Sequence, residues 1–322
     1  MTGNKYGIVA GIEANSGSVL FNIGSFPVRT YSITLLFGFI AAILTIVFFW
    51  RREKYKWEIL YGFIILIVPF SIIGARLWDL VEVAIYNPNF DFSSWYKIWE
   101  GGLSIQGGVV LGAIVGCLYA YSKRHLIDFR KTIDIIIPTI LIGQVIGRWG
   151  NYANHEVYGK VDWSGSSVLI FGKNFAQNLF IKDHVSDALN VGGLFRYPLF
   201  LYEGLANLFG YLMIVWVFNL FRLFKPGVTC GMYFIWYGLV RFALEPLREE
   251  SYEIYSVAAL AFIVLGTFIS LYFAHYSPVH YIKIKQKYGF KWVYAHPQKY
   301  LDHINRTRIF ASNKPPFTVL NA

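Results

Sequence analysis

Four polar side chains recur at helical spacing near the end of an apolar stretch in the last third of the chain. Tyr237, Arg241, Glu245 and Arg248 are 4, 4 and 3 residues apart, so a helix would present all four on one face. If the stretch crosses a membrane, charged side chains are costly unless they face a cavity or each other. This cost favours a functional site; the alternative is a structural ion pair, such as Arg241 with Glu245.

A second polar group follows another apolar stretch. The segment GRWGNYANHEVYG, residues 147–159, carries Arg148, Asn151, Asn154 and Glu156 within nine residues. Other polar positions near the ends of apolar stretches are Tyr31, Arg76, Gln106, Tyr202 and Glu203. The polar residues of several stretches could therefore meet at one site.

Neither a cofactor nor a metal ion is indicated by the sequence. It contains no glycine-rich phosphate-binding loop, no serine-centred nucleophile elbow and no cluster of metal ligands. The two cysteines, Cys117 and Cys230, lie in apolar segments and favour a packing role.

The composition is that of a membrane protein. Hydrophobic residues make up 56% of the 322 residues and charged residues only 15%, well below the roughly 25% of a soluble domain. Seven apolar stretches have the length of a bilayer span: 32–50, 58–76, 103–122, 132–151, 198–221, 228–247 and 255–275. We therefore expect an all-α polytopic membrane protein with seven transmembrane helices.

Basic residues predict the orientation. They cluster after the first span, between the third and fourth, between the fifth and sixth, and in the tail, which makes these segments cytoplasmic. The prediction is N-out and C-in, with an external N-terminal segment (1–30), a membrane domain (31–275) that includes a small external cap (152–197), and a basic cytoplasmic tail (276–322). The tail would be attracted to anionic membrane lipids.

This orientation brings the polar residues to the outer leaflet. The net charge of +10 lies mainly in these flanking clusters and in the tail, which argues against nucleic-acid binding.

Several segments resemble one enzyme family, prolipoprotein diacylglyceryl transferase. Residues 147–159 are similar to its Gly-Arg-x-Gly-Asn-x-x-Asn-x-Glu-x-x-Gly signature, and YGLVRFALEPLREE, residues 237–250, resembles a second family segment. Shorter likenesses are at 21–33, 74–78, 101–112 and 197–204. The resemblance covers about residues 21 to 275, nearly the whole membrane part.

The resemblance implies a reaction and a set of residues. The family transfers diacylglyceryl from phosphatidylglycerol to the lipobox cysteine of preprolipoproteins at the outer leaflet of the bacterial plasma membrane, releasing glycerol phosphate. It implies catalytic roles for Arg148, Arg241, Tyr31 and Glu156, with Glu156 and Glu245 orienting the arginines. Gln106, in the segment at 101–108, is our further catalytic candidate. It implies substrate binding by Asn151, Asn154, Gly159, Arg76, Tyr237 and Glu245.

One position departs from the family pattern. Family members commonly carry histidine in the segment at 101–108, where this chain has Gln106. His155 is a candidate replacement as thiol base, but a histidine in an external loop is more often a solvated side chain. We therefore expect that Gln106 positions substrate and that no imidazole is required.

A lipid- or solute-translocating protein is the alternative. Such a protein needs polar residues through both halves of the bundle. Asp134, towards the inner end of the fourth span, is the main inward candidate.

The predicted orientation can be tested by thiol labelling. In a cysteine-free background, single cysteines at 160–190 should react with a membrane-impermeant reagent in intact cells, whereas those at 52–56 and 122–130 should not. Labelling at 122–130 in intact cells would contradict the orientation.

Overall fold

The computed structural model describes residues 19–23, 26–86, 95–96, 102–249, 251, 253–287, 289–308 and 315–320. Most of the predicted external N-terminal segment and Gly101 of the glycine-rich segment lie outside these residues.

Long apolar helices dominate the described residues. After the antiparallel pair β1 (Val19–Ile23) and β2 (Phe26–Arg29) come α1 (Thr30–Glu53), α2 (Trp57–Tyr86), α3 (Ile105–Ser122), α4 (Phe129–Ile136) and α5 (Ile140–Ala153). After a segment of short elements follow α9 (Leu199–Tyr211), α10 (Val228–Leu244) and α11 (Glu253–Leu271). This confirms the all-α polytopic membrane fold.

Six helical segments of the described chain are long and apolar enough to cross a membrane. They are Thr30–Glu53, Trp57–Ile85, Ile105–Ser122, Phe129–Ala153, Leu199–Asn219 and Glu253–Tyr276. The remaining predicted span is α10, whose 17 residues are extended by a 3-10 turn at Glu245–Leu247. A helix of 17 residues is at the lower limit for a bilayer span, so the count of seven stays a prediction.

Two spans differ in detail from the prediction. The second was expected to end at Arg76, but α2 continues to Tyr86, because the apolar pattern resumes after that charge in LWDLVEVAIY. The fourth is interrupted by a 3-10 turn at Ile137–Thr139, because Pro138 has no N–H for the helix ladder.

The predicted cap, 152–197, folds compactly. It contains α6 (Ser166–Leu169), α7 (Lys173–Gln177), α8 (His184–Ala188) and the antiparallel pair β3 (Phe180–Ile181) and β4 (Leu194–Phe195). Its apolar core is formed by Val168, Ala176, Leu179, Phe180 and Phe195 together with Phe200 of α9. Its external location stays a prediction.

Asp162 anchors a turn in the cap. Burial raises the pKa of its carboxyl group, but hydrogen bonds from Ser167 and Ser164 outweigh this, and the pKa is lowered overall. The carboxylate accepts from the Ser167 hydroxyl at 2.6 Å and the Ser164 hydroxyl at 2.8 Å.

The described residues belong to two compact units. One contains the described residues within Met1–Phe49 and Asp134–Val293, and the other contains those within Trp50–Ile133 and Tyr294–Ala322. The proposed division into N-terminal segment, membrane domain and tail stays a prediction.

Much of the basic tail is folded. It forms a hairpin of β5 (Tyr281–Lys285) and β6 (Phe290–Tyr294), followed by α12 (Pro297–Arg306). In the second unit, the helix buries Tyr300 and Ile304, and the Tyr300 hydroxyl donates to the Arg124 carbonyl at 3.3 Å. Arg124 donates to the Thr307 hydroxyl at 3.0 Å. These contacts give α12 a structural role.

Asp134 caps a helix. Its two carboxylate oxygens accept from the backbone N–H groups of Gly227 and Cys230 at 2.6 and 2.7 Å, at the N-terminus of α10. The start of a helix has unsatisfied N–H groups and positive partial charge, so a buried carboxylate is stabilised there. The inward polar residue of the translocation hypothesis therefore has a structural function.

Loss of this cap should destabilise the protein. Asp134→Ala should lower the free energy of unfolding by about 2 kcal/mol or more, because two backbone donors lose a charged acceptor. Asp134→Asn, which keeps one acceptor oxygen, should have a smaller effect. The measurement is the midpoint of thermal unfolding in detergent, with Asp187→Ala, an exposed carboxylate of α8, as control. An unchanged midpoint for Asp134→Ala would contradict the capping role.

Candidate active site

The end of α5 brings its polar residues close to α1. Gly150 permits this approach, since a Cβ atom there would lie 2.8 Å from Cδ2 of Tyr31. Tyr31 is near enough to Arg148 and Glu156 to interact with both electrostatically. Three predicted site residues are therefore neighbours in the first unit.

Arg148 is held by two protein groups. Its Nη1 donates to Oδ1 of Asn151 at 3.0 Å, and its Nη2 forms an ion pair with Glu203 of α9. Asn151 in turn donates from Nδ2 to Glu156 at 3.1 Å. Glu156 was expected to orient an arginine, and its hydrogen bond to Asn151 connects it to Arg148 through an amide.

Glu203 continues this network towards α10. Its side chain is 1% exposed, and Oε2 lies 3.4 Å from Nη2 of Arg248. Arg248 also approaches Glu245, with 3.5 Å between Nε and Oε2. Glu245, 2% exposed, pairs with Arg241 at 3.1 Å. A single chain of ion pairs thus runs from Arg148 through two buried carboxylates to Arg241.

This network, Arg148–Glu203–Arg248–Glu245–Arg241, contains three arginines and two carboxylates. Its direct ion pairs leave one positive charge in excess, although Glu156 lies nearby beyond Asn151. Buried Nε atoms of Arg148 and Arg248 have no hydrogen-bond partner within the described ranges. Burial is the main cause that lowers the pKa of Arg248, followed by the nearby charge of Arg241. Such a group of guanidinium ions is suited to binding an anion.

The backbone after α5 is strained. His155 and Val157 have φ of 58° and 57°, the left-handed region that a β-branched residue such as valine rarely enters. This conformation presents Glu156, whose Oε1 lies 3.4 Å from Nδ2 of Asn154. Local strain of this kind persists where surrounding structure enforces it and is common at functional sites.

The His155 ring contacts another segment of the cap. Its Nδ1 lies 2.8 Å from the Asn178 carbonyl oxygen. A carbonyl can only accept, so Nδ1 carries the proton. This contact ties the loop after α5 to the segment after α7.

Gly159 has a packing function in the structure. Its N–H donates to the Tyr197 carbonyl at 2.9 Å, and a Cβ atom would lie 2.9 Å from the Leu247 carbonyl oxygen. Gly159 also forms a β-bridge with Arg248. Its predicted contact with substrate is not tested by these contacts.

Tyr237 lies one turn before Arg241 on α10. Its ring stacks with Tyr233 at 6.2 Å between centroids and meets Phe262 edge-on at 5.1 Å. Near the ion-pair network lie Asn154 and Glu156, in the loop after α5, and Tyr237, on α10. The roles of these three residues towards substrate stay predictions.

Arg76 and Gln106 belong to the second unit. Arg76 donates to the carbonyls of Trp95 and Gly102 at 2.9 and 3.0 Å, which ties the loop after α2 to the start of α3. Gln106 accepts from the Ser104 hydroxyl at 2.7 Å. The predicted substrate contacts of Arg76 and Gln106 therefore stay predictions.

The structure adds Glu203 and Arg248 to the candidate site. Both are polar residues near the ends of apolar stretches, and Arg248 shares the predicted helix face of Arg241 and Glu245, but neither was given a catalytic or substrate-binding role. A glutamate in the apolar helix LFLYEGLANLFGY was the available signal. Within the described ranges no group of three or more His, Cys, Asp or Glu could hold a metal ion, and the lack of a cofactor stays a prediction.

Comparisons with known proteins agree with the resemblance. The sequence model of the family described as prolipoprotein diacylglyceryl transferase matches residues 18–276. Similar proteins named phosphatidylglycerol–prolipoprotein diacylglyceryl transferase include one of Mycoplasmopsis pulmonis, 50% identical over 86% of this chain and 87% of the relative. Another, of Streptococcus pneumoniae, is 30% identical over 84% of this chain and 98% of the relative. With a family match over most of its length and the ion-pair network formed by residues of the signature segments, this chain belongs to the prolipoprotein diacylglyceryl transferase family.

Proposed function

We propose that this protein transfers the diacylglyceryl group of phosphatidylglycerol to the lipobox cysteine thiol of preprolipoproteins. The relatives carry both substrates, phosphatidylglycerol and prolipoprotein, in their names. The observation that carries the proposal is the network of three arginines on two buried carboxylates. It is suited to bind a phosphate and to stabilise its departure.

The reaction is a substitution at a glycerol carbon. The cysteine sulfur attacks the carbon that bears the phosphate, a C–S bond forms, and the C–O bond to phosphate breaks. Glycerol phosphate leaves with the bonding electron pair, and the thiol proton is lost to solvent. Negative charge grows on the departing phosphate, where guanidinium groups stabilise it most.

Arg241 has fewer polar partners than Arg148 among the described residues. It pairs with Glu245 through Nη2, whereas Arg148 already uses Nη1 for Asn151 and Nη2 for Glu203. Arg241 would therefore grip the phosphate in two places, and Arg148 would add charge and its Nε–H. Glu245 and Glu203 hold the arginines before substrate binds, which avoids reorganisation during the reaction.

Thiol activation requires little from the protein. A cysteine with a pKa near 8.5 is already a few per cent thiolate at neutral pH, and nearby arginines lower that pKa further. Gln106 would position a substrate by hydrogen bonding. Tyr31, Asn151, Asn154 and Tyr237 would contact the lipid or the peptide.

The proposed location is the outer leaflet of a bacterial plasma membrane. The basic clusters support this orientation, and both substrates would meet there. Asp134, the main inward polar residue of the translocation alternative, caps α10 and therefore does not support that alternative.

A direct assay tests the proposal. Purified protein in phosphatidylglycerol vesicles is incubated with a lipobox peptide, and mass spectrometry follows the gain of diacylglyceryl on cysteine. A peptide with serine in place of that cysteine is the substrate control. If the cysteine peptide gained no lipid from folded protein, the proposal would be wrong.

The same assay tests the phosphate grip. Arg241→Lys and Arg148→Lys keep the charge but lose the planar fork, so turnover should fall at least about tenfold. The matched control is Arg124→Lys, a buried arginine whose contacts are with Tyr121 and Thr307. If both site variants turned over as fast as the unmutated protein, recognition through the guanidinium fork would be contradicted. Thermal unfolding of each variant separates lost chemistry from lost stability.

The role of His155 is tested with a replacement that fits its backbone. Asparagine tolerates the left-handed conformation at φ 58°, so His155→Asn removes the imidazole with little strain. Turnover should stay within about tenfold, less than the usual contribution of a general base. His184→Asn, an exposed histidine of the cap, is the control, and Gln106→His should remain active. Complete loss of transfer in His155→Asn, with lipid binding intact, would identify His155 as the base.

A further inference from the structure

Asn207 is a buried side chain that the proposed mechanism does not use. It lies on α9 with 0% exposure, and neither its Nδ2 nor its Oδ1 has a hydrogen-bond partner among the residues that the structure describes. A buried amide without partners destabilises a protein, and most such groups in native structures are satisfied. The unused donor and acceptor therefore indicate an occupant that binds there.

Its position is one turn inward from the arginine network. Asn207 follows Glu203 by four residues, so both side chains point from the same face of α9. Tyr152 stacks on Phe200 at 4.6 Å, while a Cβ at Gly204 would lie 3.8 Å from Cβ of Arg148. Tyr152 thus lies beside Phe200, and Arg148, earlier on α5, lies beside Gly204, later on α9. The two helices are therefore antiparallel.

The antiparallel register brings a second amide to the same level. Gln144 precedes Arg148 by four residues on α5, so it also lies one turn inward on the face that meets α9. Its Oε1 has no partner in the described part of the chain, and its side chain reaches the hydroxyl of Tyr233 on α10. Two amides with unused hydrogen-bonding capacity thus lie one turn below the Arg148–Glu203 pair.

Three glycines of α5 and α9 lie within three residues of the two amides. Cβ atoms built at Gly143, Gly147 and Gly204 would have no neighbour nearer than 3.9, 3.7 and 3.8 Å, which is ordinary contact distance. At Gly210, by contrast, a Cβ would collide with the Trp236 ring, whose Cε2 would be 2.8 Å away. A methyl group would therefore fit at each of the three glycines beside the amides, against α1 or α5, but not at Gly210.

We infer that Asn207 binds the ester carbonyl groups of the diacylglyceryl donor through the N–H groups of its side-chain amide. The inference rests on the proposed function. In a glycerophospholipid the ester carbonyls lie a few bonds from the phosphate, on its membrane-core side. A phosphate at the arginine network thus puts them about one helical turn, roughly 5.4 Å, further inward. Ester carbonyls only accept hydrogen bonds, and Nδ2 of Asn207 offers two donors.

This binding mode makes Asn207 a positioning residue. Carbonyls held at Asn207 fix the glycerol backbone, so that the carbon bearing the phosphate is presented to the thiol beside Arg148 and Arg241. The competing occupant is an ordered water molecule, which could donate to Asn207 Oδ1 and Gln144 Oε1. A water would give the enzyme no sensitivity to the ester groups of the lipid.

The experiment compares two phosphatidylglycerols with the same head group and chain length, one with ester-linked and one with ether-linked chains. Ether lipids lack the carbonyl oxygens. Because both lipids have the same head group, the contribution of head-group binding cancels in the ratio of their kcat/KM values. For the unmutated protein, kcat/KM with the diester should exceed that with the diether at least about tenfold, the effect of one or more lost hydrogen bonds. Asn207→Leu, of similar shape, should reduce the diester value and bring the ratio close to one.

Each outcome separates the hypotheses. A ratio near one in the unmutated protein, or an unchanged ratio in Asn207→Leu, would overturn the ester-binding role and favour a water. Absence of transfer from both lipids would instead contradict the proposed function. Asn207→Ser provides the same comparison if the leucine variant does not fold. Asn305→Leu is the control, because Asn305 bonds to Phe317 in the tail and should leave the ratio unchanged.

Discussion

The buried carboxylate of Glu203 is the interaction on which the candidate site depends. It is 1% exposed and lies between Arg148 on α5 and Arg248 after α10. A single charge at this depth would be strongly unfavourable without partners. Its two arginines offset that cost and connect three helices at one point. Removing either arginine would leave Glu203 with a single partner, so the three groups must be present together.

The ion-pair network affects both the stability of the fold and the proposed reaction. Ion pairs of this kind contribute little net stability, because desolvation of the charges offsets their attraction. Their value here is pre-organisation: guanidinium groups are already oriented before an anion arrives, and the excess of positive charge is concentrated around Arg148, Arg241 and Arg248. The strained backbone at Val157 belongs to the same region and presents Glu156 to Asn151. Backbone strain and buried charge both lower stability, and both are located where the reaction is proposed.

Charged and neutral groups follow one another along α5 and α9 in the same order as along a phospholipid. Charged groups occupy the level of Arg148 and Glu203, and neutral amides, Gln144 and Asn207, occupy the level one turn further inward. A lipid has the same order, with a charged phosphate followed by neutral ester groups and then hydrocarbon. Towards the other end of the bundle, Asp134 is used to cap α10. A polar pathway through the bundle is therefore not supported by that residue.

The sequence alone was sufficient for the membrane class, the approximate spans and the family. Apolar length and helical spacing are local properties, so the positions of α1 to α5 and α9 to α11 were predicted closely, and the 147–159 signature was recognised. The end of α2 was placed too early because Arg76 interrupts an apolar pattern that then resumes. Only the tertiary structure decided which charges meet: periodicity assigns Arg241 and Glu245 to one face of a helix, but it does not identify Glu203 as the carboxylate between Arg148 and Arg248. Nor could it show that the Asn207 side chain has no hydrogen-bond partner among the residues that the structure describes. Hydrogen bonding between helices depends on their packing, which brings together residues distant in sequence.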